Sequence, residues 1–153
     1  MTRARSLLLL ATAVLSACTA ADSLEPAATV LADDGLRVTL TIEPKAIVAP
    51  GKAIARLTYE NTGTEPVVLT SGASCLSDAA VYRGSKRIRF PSTEYACATV
   101  VTHRRMQPGG KFSVEWPLVV GGEQGIEVPA GTYRFIAMTN TGHGNLDATF
   151  VVR

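Results

Sequence analysis

Cys97, His103 and Met106 fall within ten residues of one another near the middle of the chain. A thiolate, an imidazole and a thioether together suit copper. Cys97 also has a competing use, because Cys75 stands about 22 residues before it and an oxidising compartment would close the two into a disulfide. In the chain-entropy model such a bridge removes denatured-state freedom worth about 3 kcal/mol. A metal site or a reactive thiol is the alternative, although the two cysteines do not form a close Cys-x-x-Cys pair. Nucleophilic hydrolysis would need a base beside a nucleophile, usually on a strained turn. The only histidines are His103 and His143, no Gly-x-Ser-x-Gly occurs, and Ser74 and Asp147 are the partners a triad could draw on. The residues therefore argue against an enzyme and call for no cofactor.

Charge supplies a third candidate. Fifteen Lys and Arg stand against thirteen Asp and Glu, a formal charge of +2, which is far from the basic balance of a nucleic-acid binder. Between residues 83 and 105, however, Arg83, Lys86, Arg87, Arg89, Arg104 and Arg105 face the single acid Glu94. If Ile88 and Phe90 point inward, Arg87 and Arg89 share the outer face and an anionic partner could dock there. The plainer use of such residues is to protect an edge strand from pairing with another chain.

The compartment is written at the N-terminus. Arg3 and Arg5 precede an apolar run over residues 6–17 that includes four consecutive leucines. As a helix that run would rise about 18 Å, short of the roughly 30 Å hydrocarbon core, so it reads as an export signal rather than a permanent span. It ends in Leu15-Ser16-Ala17-Cys18, which resembles the lipobox of bacterial lipoproteins. The resemblance implies cleavage before Cys18 and acylation of its thiol, with the membrane as a partner through that anchor. Two or three chains, at about 0.8 kcal/mol per buried methylene, hold a protein stably. Thr19 stands where an Asp would signal inner-membrane retention, which favours the outer membrane if two membranes exist. Loss of residues 1–17 takes Arg3 and Arg5 with it and leaves the mature chain formally neutral.

The elements that must position these residues follow from hydropathy. At 46% hydrophobic and 18% charged, a chain of 153 residues is too apolar for disorder and too short for two ordinary domains. Residues 18–35 lack sustained apolar periodicity and read as the lipidated cysteine and a flexible tether. From Leu36 the period is two: Leu36, Val38, Leu40 and Ile42 alternate with polar residues until Pro44. Further strands are expected over residues 52–60, 67–69, 98–103, 112–118, 132–138 and 146–152. Residues 79–82 and 86–90 flank Arg83-Gly84-Ser85, where Gly84 can take the positive φ of a tight hairpin. No window has helical periodicity. About seven to nine short strands between Pro and Gly turns predict an all-β, antiparallel, immunoglobulin-like sandwich over residues 36–153. Tyr133, opening a strand after Gly131, resembles the tyrosine corner of such domains, the alternative being an ordinary core tyrosine.

Two wider resemblances complete the reading. The segment Leu57-Thr58-Tyr59-Glu60-Asn61-Thr62-Gly63-Thr64-Glu65-Pro66-Val67-Val68-Leu69, with Ser71-Gly72 after it, is similar to the early part of the BsuPI-type intracellular proteinase inhibitor family. Gln107-Pro108-Gly109-Gly110-Lys111 leading to Trp116, and Val128-Pro129-Ala130-Gly131-Thr132-Tyr133-Arg134, look like that family's later turn and strands. This implies an immunoglobulin-like sandwich that binds a serine protease without chemistry. The export signal and the pair Cys75 and Cys97 depart from an intracellular pattern, and no reactive loop can be carried over. The order Cys97, His103, Met106 resembles the ligand loop of cupredoxins, but that pattern needs another His upstream and none precedes His103. The expectation is a non-catalytic lipoprotein of the cell envelope that binds a protein or an envelope polymer; the alternatives are a serine protease inhibitor and a carrier of metal or a small ligand.

Overall fold

The structure is a computed structural model that describes residues 28–31 and 35–153. Residues 1–17, read above as an export signal, Cys18 and residues 19–27 lie outside the described residues, as do 32–34. Among those described, eleven strands follow in order: β1 (Ala28–Leu31), β2 (Leu36–Glu43), β3 (Ala46–Ile47), β4 (Gly51–Asn61), β5 (Val67–Ser71), β6 (Ser77–Arg83), β7 (Lys86–Ile88), β8 (Thr102–Met106), β9 (Lys111–Val120), β10 (Gly131–Thr139) and β11 (Asn145–Val152). A single 3₁₀ turn occupies Pro91–Thr93. No helix of the described residues is long and apolar enough to cross a membrane.

One sheet has the order β1-β2-β4-β9 and is antiparallel throughout. The other has the order β3-β11-β10-β6-β7, antiparallel except where β3 runs parallel to β11. The period-two pattern explains why the two faces meet. Leu36, Val38, Leu40 and Ile42 of β2 and Ala53, Ala55, Leu57 and Tyr59 of β4 are buried; so are Tyr133, Phe135 and Ala137 of β10 and Leu146, Ala148, Phe150 and Val152 of β11. Trp116 of β9 meets Phe135 of β10 at 5.5 Å between ring centroids, which fixes the sheets face to face. Each such large apolar side chain contributes about 1.5 to 3 kcal/mol on burial.

The tyrosine corner is present. Tyr133 is buried at the start of β10 and its hydroxyl donates to the Pro129 carbonyl four residues earlier. With two facing sheets and this corner on the penultimate strand, the domain is an immunoglobulin-like β-sandwich. Its disulfide, however, does not join the sheets through the core, and Trp116 packs on a phenylalanine instead.

Most strands fall where hydropathy places them, and Gly84 takes φ 59° in the hairpin between β6 and β7. Three differences have physical causes. Residues 28–31, assigned by composition to the tether, form β1 and pair with β2, so order begins before Leu36; a four-residue edge strand is too short to show a period. Ala46–Ile47 form β3 because Pro44 ends β2 and the chain crosses to the other sheet. The strand expected over residues 98–103 lies instead at Thr102–Met106, since Ser74 takes Ala98 into the neighbouring loop.

One edge of each sheet is blunted. β7 has three residues, two of them Lys86 and Arg87. β9 carries Pro117 in mid-strand, and the Pro117 carbonyl accepts a 2.7 Å hydrogen bond from Ser92 Oγ. A proline on an edge removes a donor from the ladder it would otherwise offer.

Candidate functional site

Between β4 and β9 the chain makes an excursion that belongs partly to neither sheet. Strands β5 and β8 pair only with each other, as an antiparallel ribbon with Val67 opposite Met106 and Ser71 opposite Thr102. Alternation gives the ribbon two faces. Val67, Leu69 and Met106 are buried in the core of the sandwich. On the other face, Val68 stands opposite Arg105 and Thr70 opposite His103, all exposed.

Asn61 fastens the base of the ribbon. Fully buried at the end of β4, its Nδ2 donates to the Met106 carbonyl at 3.1 Å and to the Glu65 carbonyl at 2.8 Å, while its Oδ1 accepts from the Gly63 amide at 3.0 Å. The motif Asn61-Thr62-Gly63 reads from sequence as a turn; that its amide also holds a strand 45 positions later is not visible there.

The far end is fastened covalently. Cys75 and Cys97 form a disulfide with a Cα separation of 5.5 Å. Around it the Ser74 amide donates to the Ala98 carbonyl at 2.9 Å, Ser74 Oγ accepts from the Ala98 amide at 2.9 Å, and Asn140 Nδ2 donates to the Cys75 carbonyl at 3.1 Å. Ser71 Oγ donates to the same carbonyl at 2.9 Å.

Between the ribbon and β9 opens a cleft of about 370 Å³, lined in part by Cys75, Leu76, Tyr95, Arg104, Phe112 and Val114. The Arg104 guanidinium lies 3.9 Å from the centroid of the Phe112 ring, and Phe112 in turn stacks on Tyr59 at 6.2 Å. Tyr95 spans the other side: its hydroxyl accepts from Trp116 Nε1 at 3.0 Å and donates to the Ser77 carbonyl at 3.1 Å. Burial pushes the Tyr95 hydroxyl above its ordinary range, with the Trp116 bond opposing and the negative charge of Asp78 adding to the shift. Burial pushes Tyr59 up to about 12, opposed in part by the hydroxyls of Thr141 and Ser77 beside it.

The residues singled out by type are mostly kept apart. Cys97 is committed to the disulfide and Met106 is buried in the core, so the copper set Cys97, His103, Met106 is not assembled. His103 Nδ1 lies 3.0 Å from Thr70 Oγ1, and His143 Nδ1 lies 2.8 Å from Thr141 Oγ1. Ser74 Oγ serves the Ala98 amide, and Asp147 stands exposed on β11, so neither histidine is paired with the nucleophile or acid considered for it. No group of three or more His, Cys, Asp or Glu that could hold a metal occurs among the described residues.

The six basic residues divide between two sheets. Arg83 ends β6, where its Nη2 donates to the Ala130 carbonyl at 3.0 Å. Lys86 and Arg87 lie on β7 and Arg89 just beyond it. Glu94 binds both Arg87 at 3.0 Å and Arg89 at 3.8 Å, consistent with Ile88 and Phe90 pointing inward. Arg104 and Arg105 lie on β8, on opposite faces of the ribbon. Residues 91–101 carry the chain between the strands that hold these two groups.

No family model matches the sequence, and no curated protein does. Among solved structures, the alkylpurine DNA glycosylase AlkC of Pseudomonas fluorescens, bound to DNA containing an abasic site analog, is similar over 80% of this chain and 31% of its own, at 14% identity and a TM-score of 0.46. A β-glucosidase of Listeria innocua in complex with glucose is similar over 76% of this chain and 16% of its own, at 9% identity and a TM-score of 0.43. A β-glucosidase of Erythrobacter marinus is similar over 74% of this chain and 15% of its own, at 13% identity and a TM-score of 0.42. The chain spans less than a third of the length of each of these proteins.

Proposed function

We propose that this chain is a lipoprotein of the cell envelope, anchored through Cys18, whose immunoglobulin-like domain binds a protein partner through the stapled ribbon without performing chemistry. The observation that carries the reading is where exposed apolar surface gathers. Among the described residues, the exposed large hydrophobics are Val48 beside β3 and then Val68 at 51%, Tyr95 at 39%, Val100 at 52% and Val101 at 62%, all four of these last in the excursion between β4 and β9. A segment tied down by a buried amide at one end and a disulfide at the other loses little further freedom on binding, which is how a constrained loop gains affinity. A photo-crosslinking residue placed in intact cells at Val68 or Val101, and for comparison at Thr132 or Asp147, tests it. Discrete adducts from the ribbon positions alone support the reading; equal labelling at all four, or none, removes it.

A second reading, inhibition of a serine protease, draws on the family resemblance together with residues 98–101, which are exposed and held beside the disulfide. Undiminished hydrolysis by subtilisin-like and trypsin-like proteases at micromolar domain concentration removes it.

A further inference from the structure

The cleft beneath the ribbon has a chemistry of its own. Arg104 pairs across the ribbon with the buried Leu69, so its side chain leaves on the inner face, toward the body of the domain, whereas Arg105 leaves on the outer face. There the guanidinium carbon lies 3.9 Å from the centroid of the Phe112 ring, a cation–π contact that holds the group over the ring. Among the described residues Arg104 has no carboxylate within salt-bridge distance; neither have Arg83, Arg105 and Arg134, but of these four Arg104 alone lines the cleft. An arginine held in one geometry without an acid is prepared for an acid from elsewhere.

The lining says what the rest of that ligand is. Leu76, Phe112 and Val114 supply apolar surface, Ser74, Ser77, Tyr95 and Thr102 supply neutral polar groups, and no Asp or Glu is among the lining residues. Arg104 is the only Lys or Arg in the lining, which also includes His103. A polyanion would be met by a row of cations; one guanidinium above an apolar floor fits one carboxylate attached to an apolar group. The volume of about 370 Å³ holds a side chain or two.

We propose that this cleft binds a carboxylate-bearing apolar segment of a protein partner, with the carboxylate on the Arg104 fork and the apolar group against Leu76, Phe112 and Val114. The assignment rests on the binding role proposed above and names the chemistry it recognises.

The probe is N-acetyl-phenylalanine, with N-acetyl-phenylalaninamide as its uncharged counterpart. Each is titrated into the oxidised mature chain carrying Cys18→Ser and followed by amide NMR shifts. The acid should give saturable shifts at Ser77, Thr102, Arg104 and Val114, with a dissociation constant on the order of 1 mM for a fragment of this size. The amide should bind at least tenfold more weakly. Arg104→Gln should weaken the acid tenfold or more, Arg104→Lys several-fold because the planar fork is lost, and Arg105→Gln, an equal change of charge on the outer face, less than twofold. Retained spectral dispersion in each variant separates loss of binding from loss of folding.

Equal affinity for acid and amide, equal losses at Arg104 and Arg105, or no saturation at tens of millimolar would overturn the proposal. Tighter Arg104-dependent binding of a polyphosphate than of the fragment would also overturn it and assign the cleft to an anionic polymer. Crosslinks from Val68 and Val101 report the outer face, so the wider binding role can survive the loss of this one.

Discussion

Tyr59 and Asn61 lie two positions apart on β4, both fully buried, and each turns a polar group inward for a different purpose. The Tyr59 hydroxyl donates to the Leu76 carbonyl at 3.4 Å and is pushed up to about 12 by burial. In the unfolded chain a tyrosine ionises near pH 10, so above that pH the unfolded state binds fewer protons than the native one and stability falls with pH. The stabilisation is complete below pH 10, is lost as pH rises toward 12, and amounts to about 2 to 3 kcal/mol. Urea unfolding between pH 9 and 12 should show that decline in the native chain, and a shallower one in Tyr59→Phe. Asn61 satisfies two carbonyls and an amide at once, and its loss strips the buried Met106 carbonyl and two part-buried groups of that partner. Asn61→Ala should cost about 2 to 4 kcal/mol of stability, measured by denaturant midpoint at unchanged slope.

Among the elements, the ribbon of β5 and β8 is the one whose geometry depends on the sequence at a distance. Its strands are 5 residues each and lie across a long stretch of chain, so hydropathy detects residues 67–69 but misplaces the second strand by several residues. Three exposed residues in a row, His103, Arg104 and Arg105, conceal the alternation, because Arg104 faces inward yet stays exposed by spreading over Phe112. The disulfide was readable as a pairing, since its two cysteines are the only ones left once Cys18 is assigned to lipid; what it encloses was not. Its loop of 22 residues predicts a loss of about 3 kcal/mol in the double variant Cys75→Ala, Cys97→Ala. Because β5 and β8 pair with no other strand, hydrogen exchange in that variant should accelerate first at residues 98–106 while β10 and β11 remain protected.

At the scale of the molecule, the sandwich was legible because β2, β4, β9, β10 and β11 each alternate over eight or more residues. Its less regular parts were not. Short pieces such as β1 and β3 carry no period, and the cleft depends on four segments of the chain: the β6 approach, the Tyr95 loop, β8 and β9. A guanidinium over a ring and an amide bridging two turns are tertiary facts without a sequence spacing to announce them.

Pro117 bears on the behaviour of many copies together. A sheet edge with a full row of donors and acceptors is a template on which a second molecule can polymerise. Here the middle of β9 lacks a donor, and its carbonyl is already occupied by Ser92. Sedimentation of Pro117→Val combined with Ser92→Ala should reveal concentration-dependent assembly that the native chain does not show. The native β9 edge withholds that template from a second copy, so under the proposed envelope role copies of the domain could stand close together without pairing along this strand.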